Sequence, residues 1–316
     1  MARKVIIDCD PGIDDAVALC MALFDPRLEV VAVTAVEGNI PADQASRNVQ
    51  TIIDQLDPPR FPRMGAASPR EDAPASQGQR LHGQDGLGNA GLRFAQLHQQ
   101  RPSEKILCDE VRALPEAITI VCLGPLTNLA RAIKRDPAFA SLVHRVIVTG
   151  GSVRVGGNVT AAAELNMYYD ALAARTVFRS PTAKTLIPLD VTQKVAFSLD
   201  LLEQLPPEST RAGALLRRVL PFSFRSHHQE LGRESIYLHG AVALVAILQP
   251  ELFDASEMAG DVETQGELTL GATVFDRRAK PLWPANMEVA TDVDAAAVKD
   301  CILRGLTEAG RMTLLT

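Results

Sequence analysis

The stretch "IIDCDPGIDDAVAL", residues 6–19, places Asp8, Asp10, Asp14 and Asp15 between one apolar run and the next. Carboxylates at that density repel one another, so something must compensate for them. Two readings compete. In the first, Asp14 caps a helix and Asp15 lies in its first turn, where the helix dipole favours acids, while Pro11 and Gly12 make the turn. That covers one or two aspartates and leaves Asp10, and Asp8 at the end of a buried strand, unexplained. In the second, the carboxylates surround a hard cation, which takes oxygen ligands. Four carboxylates at one strand-to-helix junction favour the cation.

The elements that must position such a cluster are legible as alternating patterns. Val5–Ile7 reads as a short buried strand and Asp14–Phe24 as a helix. "LEVVAVTAV" is the next strand. A helix follows with Pro41 near its start and Ala45, Val49, Ile52, Ile53 and Leu56 on one face. "TIVCLG", "RVIVTGG" and "TLIPLDV" are further strands, each followed by Gly, Pro or polar residues and then a helical pattern. Strand–helix alternation with near-continuous apolar strands implies an α/β chain with a mostly parallel, Rossmann-like sheet and helices on both faces. Ligands of such sheets bind beyond the carboxyl ends of the strands, which is where the aspartates lie. The stretch from Arg60 to Gly91 is rich in Pro, Gly, Ser and Gln and has no convincing period; carrying "LHGQDGLGN", it reads as a mobile flap over the site. Residues 261–277 alternate like a small hairpin. No repeat or linker interrupts the chain, so a single domain over residues 1–316 is expected.

Composition narrows the function. The 316 residues are 47% hydrophobic, enough for a sizeable core, yet no apolar run approaches the ~20 residues of a membrane span. The N-terminus enters a strand pattern without signal-peptide architecture. Cys9, Cys20, Cys108, Cys122 and Cys301 lie mostly in apolar runs without a CxxC, as expected of reduced core thiols in a cytoplasmic protein. A net charge of −6 argues against a nucleic-acid surface. "GGSVRVGG" lacks the Lys-[ST] and the glycine spacing of phosphate-cradling loops.

"DCDPGIDDAVAL" resembles the N-terminal signature of the nucleoside hydrolase family, the inosine–uridine-preferring type. Further motifs follow in the same order: "EGN" at 37–39, "LHGQDGLGN" at 81–89, "LGPLTNLA" at 123–130, "VTGGSVRVGGNVT" at 148–160, "AAELNMYYD" at 162–170, "PLDVT" at 188–192 and "YLHG" at 237–240. The resemblance implies hydrolysis of the N-glycosidic bond of ribonucleosides around a calcium ion at the floor of the ribose pocket. In it Asp10 ligates calcium and accepts a proton from water, Asp15 grips the ion, and the Leu123 carbonyl completes the backbone ligand. Asp14 and Asn166 match positions that hold the ribose 2′ and 3′ hydroxyls. Asn39, Asn158 and Glu164 match the remaining polar lining, Asn158 and Glu164 near the 5′-hydroxyl; Asp8 would stand behind the ligands. His239 lies where the family places an acid for the leaving base, and His82 lies on the flap. Histidine suits that work near neutral pH, although His239 also reads as a residue that merely packs at a helix start. Tyr237 is a candidate contact for the base. His227 and His228 lie late in an amphipathic helix expected to line the pocket, and either also reads as a surface residue or a helix-end cation.

One departure stands out. Where the family usually reads His-Asp-Pro, with the Asp as the third carboxylate on calcium, this chain reads His239-Gly240-Ala241. Removing a charged ligand weakens a hard-cation site. Two functions are therefore expected to compete: a nucleoside N-ribohydrolase with an altered metal site, and a weak or inactive relative that binds a nucleoside or another N-ribosyl compound. The resemblance also implies a homodimer or homotetramer.

Overall fold

Residues 2–76, 78–93 and 101–314 are described by a computed structural model. Side chains alternate along the first strand, β1 (Arg3–Cys9). Val5, Ile7 and Cys9 enter one apolar layer and Ile6 the other, as the two-residue repeat of a strand dictates. The remaining strands are β2 (Leu28–Ala35), β3 (Arg63–Ala66), β4 (Arg101–Pro102), β5 (Ile118–Cys122), β6 (Arg145–Thr149), β7 (Lys184–Ile187), β8 (Ala196–Phe197), β9 (Ile236–Tyr237), β10 (Phe253–Met258), β11 (Gly260–Val262), β12 (Thr273–Phe275) and β13 (Met287–Val293). Nine of them form one sheet in the order β10-β13-β7-β6-β5-β1-β2-β3-β4. Every neighbouring pair is parallel except β10 with β13.

Helices Ile13–Ala22, Ala42–Leu56, Arg211–Leu231, His239–Leu248 and Ala295–Met312 contribute to the core on one face. Helices Ser103–Ala113, Thr127–Arg135 and Ala171–Arg179 contribute to the other. The single α/β domain and mainly parallel sheet are as the alternation predicts. The hairpin expected in 261–277 is the β11–β12 pair. All five cysteines are buried and free.

From β1 the chain builds outward through β2, β3 and β4 on one side, and through β5, β6 and β7 on the other. The switch point thus lies between β1 and β5, where sheets of this kind leave a crevice for ligands. Asp10 leaves the end of β1 and Leu123 the end of β5.

Part of the stretch read as structureless is ordered. Arg63–Ala66 pairs with β2, and Gln79–His82 makes one helical turn. Only Gly65 of that strand is fully buried. Backbone pairing forms β3 without an apolar alternation that a sequence reading can detect.

Candidate active site

The aspartates divide by direction. Asp10 and Asp15 are buried at the switch point, while Asp14 beside them is partly exposed. The Asn39 backbone N–H donates to Asp10 Oδ2 at 2.6 Å, and Gly12 N–H approaches Asp15 Oδ2 at 3.4 Å. A Cβ at Gly38 or Gly124 would collide with the Asp10 carboxylate, so glycine at both positions lets two loops close on it. Among the described residues no Lys or Arg pairs with Asp10, Asp14 or Asp15. Burial holds both the Asp10 and the Asp15 carboxyls well above the usual range. The Asp14 charge adds to this in each, and the Asn39 N–H opposes it at Asp10.

Asp8 turns to the other face. Its Oδ1 accepts from Thr34 Oγ1 at 2.6 Å and Asn128 Nδ2 at 2.8 Å, and burial pushes its carboxyl up to about 7. It ties β1 to β2 and to the helix Thr127–Arg135.

The motif at 162–170 supplies the opposite wall. Asn166 Nδ2 donates to the carbonyls of Leu123 at 2.8 Å and Thr149 at 3.1 Å. Buried Glu164 caps the helix Leu165–Tyr169, its Oε2 accepting from Gly151 N–H at 2.9 Å and Met167 N–H at 3.2 Å; burial raises its carboxyl. Asn39 Oδ1 is buried without a hydrogen-bond partner among the described residues. Asn158 is set apart. It is exposed, and its Oδ1 accepts from Leu165 N–H at 2.9 Å, closing the loop ahead of the helix.

These donors suit a hard cation in kind: two buried carboxylates and a carbonyl, all oxygen, with no basic side chain paired to the aspartates. The set is short in number. Among the described residues no three His, Cys, Asp or Glu side chains group to hold an ion. A Cβ at Gly240 would lie 3.1 Å from Asp15 Oδ1 and 3.3 Å from Leu123 Cδ1. Position 240 therefore faces the Asp15 carboxylate, and glycine leaves it without a donor there.

Three histidines lie near Asp14. The Ile13 backbone N–H donates to His82 Nδ1 at 3.1 Å, which leaves the proton of the neutral ring on Nε2. His227, buried in the long helix, donates from Nδ1 to the Ser223 carbonyl at 2.8 Å, so its Nε2 carries the lone pair. His239 Nδ1 meets Thr192 Oγ1 at 2.8 Å. Burial lowers all three, His239 to about 4, while the Asp14 carboxylate pulls each of them upward. At neutral pH all three imidazoles are therefore neutral. Tyr237 lies 5.7 Å from His239 between ring centres, with Arg233 donating to its hydroxyl at 2.8 Å. His228, in contrast to the buried His227, is exposed and pairs with Glu234.

Thr192 and Asn128 stand inside quoted motifs, yet nothing in their spacing marks them as supports of His239 and Asp8. Two clefts, of about 620 and 470 Å³, lie elsewhere, lined by residues such as Arg175 and Trp283 or Lys184 and Glu257. Neither includes Asp10, so the chemistry rather than the volume locates the site.

The chain matches the family of inosine-uridine preferring nucleoside hydrolases over residues 5–300. It is 36% identical to uridine nucleosidase 1 of Arabidopsis thaliana over 280 residues, 88% of this chain and 83% of that one. It is 34% identical to the non-specific ribonucleoside hydrolase RihC of Escherichia coli over 299 residues, 93% and 95% of the two chains. Among solved structures, the plant nucleoside hydrolase PpNRh1 superposes with a TM-score of 0.89 at 32% identity, covering 97% of this chain and 99% of that one. The purine-preferring ribonucleoside hydrolase of Gardnerella vaginalis superposes with a TM-score of 0.90 at 25% identity, covering 98% and 100%. With its aspartates at the switch point and its motifs in sequence order, the chain belongs to the inosine-uridine preferring nucleoside hydrolase family.

Proposed function

We propose that the protein hydrolyses the N-glycosidic bond of ribonucleosides to free base and ribose, with Asp10 taking the proton of the attacking water. The observation that carries this reading is the buried Asp10–Asp15 pair, without a basic partner among the described residues, with His82, His227 and His239 near the adjoining Asp14. A bound calcium would be held by Asp10, Asp15 and the Leu123 carbonyl, and would supply charge compensation and a water of lowered pKa. Asp14 and Asn166 hold the ribose 2′ and 3′ hydroxyls, and Asn39 and Glu164 line the rest of the sugar pocket. The transition state gathers positive charge on the ribose, which neighbouring carboxylates favour. His239, set by Thr192, and His82, set by Ile13, hydrogen-bond the departing base, with Tyr237 beside it. His239 is neutral at rest, so it assists by hydrogen-bonding the departing base, which takes its proton from solvent while the proton of the attacking water goes to Asp10. The protein works as a cytoplasmic homodimer or homotetramer. No helix among the described residues is long and apolar enough to cross a membrane.

Gly240 favours a second reading, a weak or inactive relative that binds nucleosides without efficient turnover. One experiment separates the two: ribose release from a panel of purine and pyrimidine ribonucleosides, with excess calcium and with chelator. Calcium-dependent release supports the hydrolase with a metal role. Release that survives chelation removes the metal from the mechanism. No release from any nucleoside, with binding retained, supports the second reading.

A further inference from the structure

Three segments frame Asp10. Residues 36–39 donate the Asn39 N–H to it, residues 123–127 press Gly124 against it, and residues 164–170 hold the Leu123 carbonyl through Asn166. Asn166 joins the third segment to the second, and the Tyr169 side chain interacts with Glu37 of the first. At their outer ends the three meet a residue from the stretch after β3. The Arg70 backbone N–H donates to Glu37 Oε2 at 2.9 Å. Its guanidinium donates to the Tyr169 carbonyl, lies 3.4 Å from Asp170 Oδ2, and sits 5.8 Å over the Tyr169 ring. The same Asp170 oxygen accepts from Thr127 Oγ1 at 2.7 Å, which brings in the second segment. The segment carrying Arg70 is anchored on both sides. Arg131 donates to the Ser68 carbonyl at 3.0 Å, and Ser76 Oγ donates to the Gly38 carbonyl at 3.1 Å.

We infer that Arg70 is a positioning residue for the Asp10 centre: its guanidinium holds Tyr169 and Asp170, Asp170 holds Thr127, and its backbone N–H holds Glu37, so the side chain steadies the 164–170 and 123–127 segments that flank the carboxylate. Arginine is suited to this where lysine is not. A planar guanidinium presents donors in several directions at once and stacks on an aromatic face, whereas an ammonium is a single point on a flexible stem. The Arg70 side chain keeps only 18% of its exposure and Asp170 9%, so their contact is little screened. Arg70 has no place in the proton transfers, and its effect passes through the geometry of Asp10, Asn39 and Asn166.

This inference rests on the hydrolase reading for its kinetic test and on the fold alone for its structural one. Arg70→Met and Arg70→Lys are compared with wild type on the best nucleoside of the panel. A displacement of catalytic groups of about 1 Å costs on the order of a hundredfold in rate. Arg70→Met should therefore lower kcat by about that factor while KM stays within about threefold, with Arg70→Lys between the two. Guanidinium added well below denaturing concentration should restore part of the Arg70→Met rate. Hydrogen exchange should rise in the peptides spanning 123–128 and 165–171 and stay unchanged in the β5–β6 core. A kcat near that of wild type overturns the inference, as does a loss matched by the fraction of unfolded protein and unrescued by guanidinium. If the wild type itself releases no ribose, the hydrolase reading falls and hydrogen exchange decides. Faster exchange in those two peptides supports the inference, and unchanged exchange sinks it.

Discussion

At the scale of single residues, Gly240 and His239 are adjacent and each makes a measurable claim. Position 240 faces Asp15 closely enough that an aspartate there would need its neighbours to yield by a few tenths of an ångström, since the Cβ would stand 3.1 Å from Asp15 Oδ1. The added carboxylate raises the charge and ligand count of a hard-cation site. Gly240→Asp should therefore tighten calcium binding by about tenfold in isothermal titration. Unchanged affinity in a wild type that already binds well would show that the ligand shell is assigned wrongly. His239 makes a claim about pH. Its ordinary value of 6.5 falls to about 4 through burial. Between those values the unfolded chain holds a proton that the folded protein does not, so this residue's contribution to stability declines as pH drops from about 6.5 to about 4 and is constant above that window. His239→Gln removes the effect. The melting temperature of the variant relative to wild type should climb as pH is lowered from 7 to 4.5, because the raised carboxylates of Asp10 and Asp15, which act in the opposite direction, are common to both proteins. A flat difference would mean that His239 is not depressed. Asp10, Asp15 and Asn166 were legible because their motifs are dense and local. Asn128 was not, because its partner Asp8 is 120 residues away and an amide between apolar helix positions carries no periodic signal.

At the scale of elements, β3 and the segments that follow it are the ones the sequence described least well. β3 lacks side-chain alternation, and the residues after it show their purpose only through contacts made at a distance. The segment 78–93 lies on the long helix: Arg80 bonds Glu230 at 2.6 and 2.8 Å, Ser226 Oγ donates to the Leu81 carbonyl at 2.8 Å, and Arg218 donates to the Ala90 carbonyl at 2.7 Å. Its composition marked it as a flap, but the helix residues that receive it are ordinary polar side chains in sequence. The 150–164 loop offers a direct test of local against functional roles. Asn158 matches a sugar-binding position by motif, yet it is exposed and its Oδ1 is bonded to Leu165 N–H. With loop closure as its expected role, Asn158→Ala should cost about 1 kcal/mol in denaturant unfolding and shift KM by less than about twofold. A KM increase beyond tenfold at unchanged stability would return Asn158 to the sugar.

At the scale of the whole molecule, the sheet places the site and the site in turn burdens the sheet. Strand–helix alternation and buried β-branched strands made the parallel sheet readable, and the order of the strands explains why the ends of β1 and β5 meet at the switch point. What alternation could not reveal is the unbalanced charge held there. Asp10 and Asp15 keep 1% and 2% of their exposure, lack basic partners among the described residues, and resist ionisation through burial and the nearby Asp14 charge. Carboxylates buried this way lower the stability of the folded state unless a cation accompanies them. A cation that binds only the native arrangement should therefore stabilise the entire domain. At free calcium about a hundred times the dissociation constant the gain is ~2.7 kcal/mol. For a protein of this size that corresponds to a rise of several degrees in melting temperature. Thermal unfolding in chelator and across a calcium titration measures it, and Asp15→Asn should abolish most of the response while reducing the charge repulsion that remains. Equal melting temperatures in calcium and in chelator, together with no calcium in the purified protein by elemental analysis, would mean that protonation rather than a metal neutralises the cluster. Asp10 would then start the reaction as a neutral acid, and the water would have to be activated by another group.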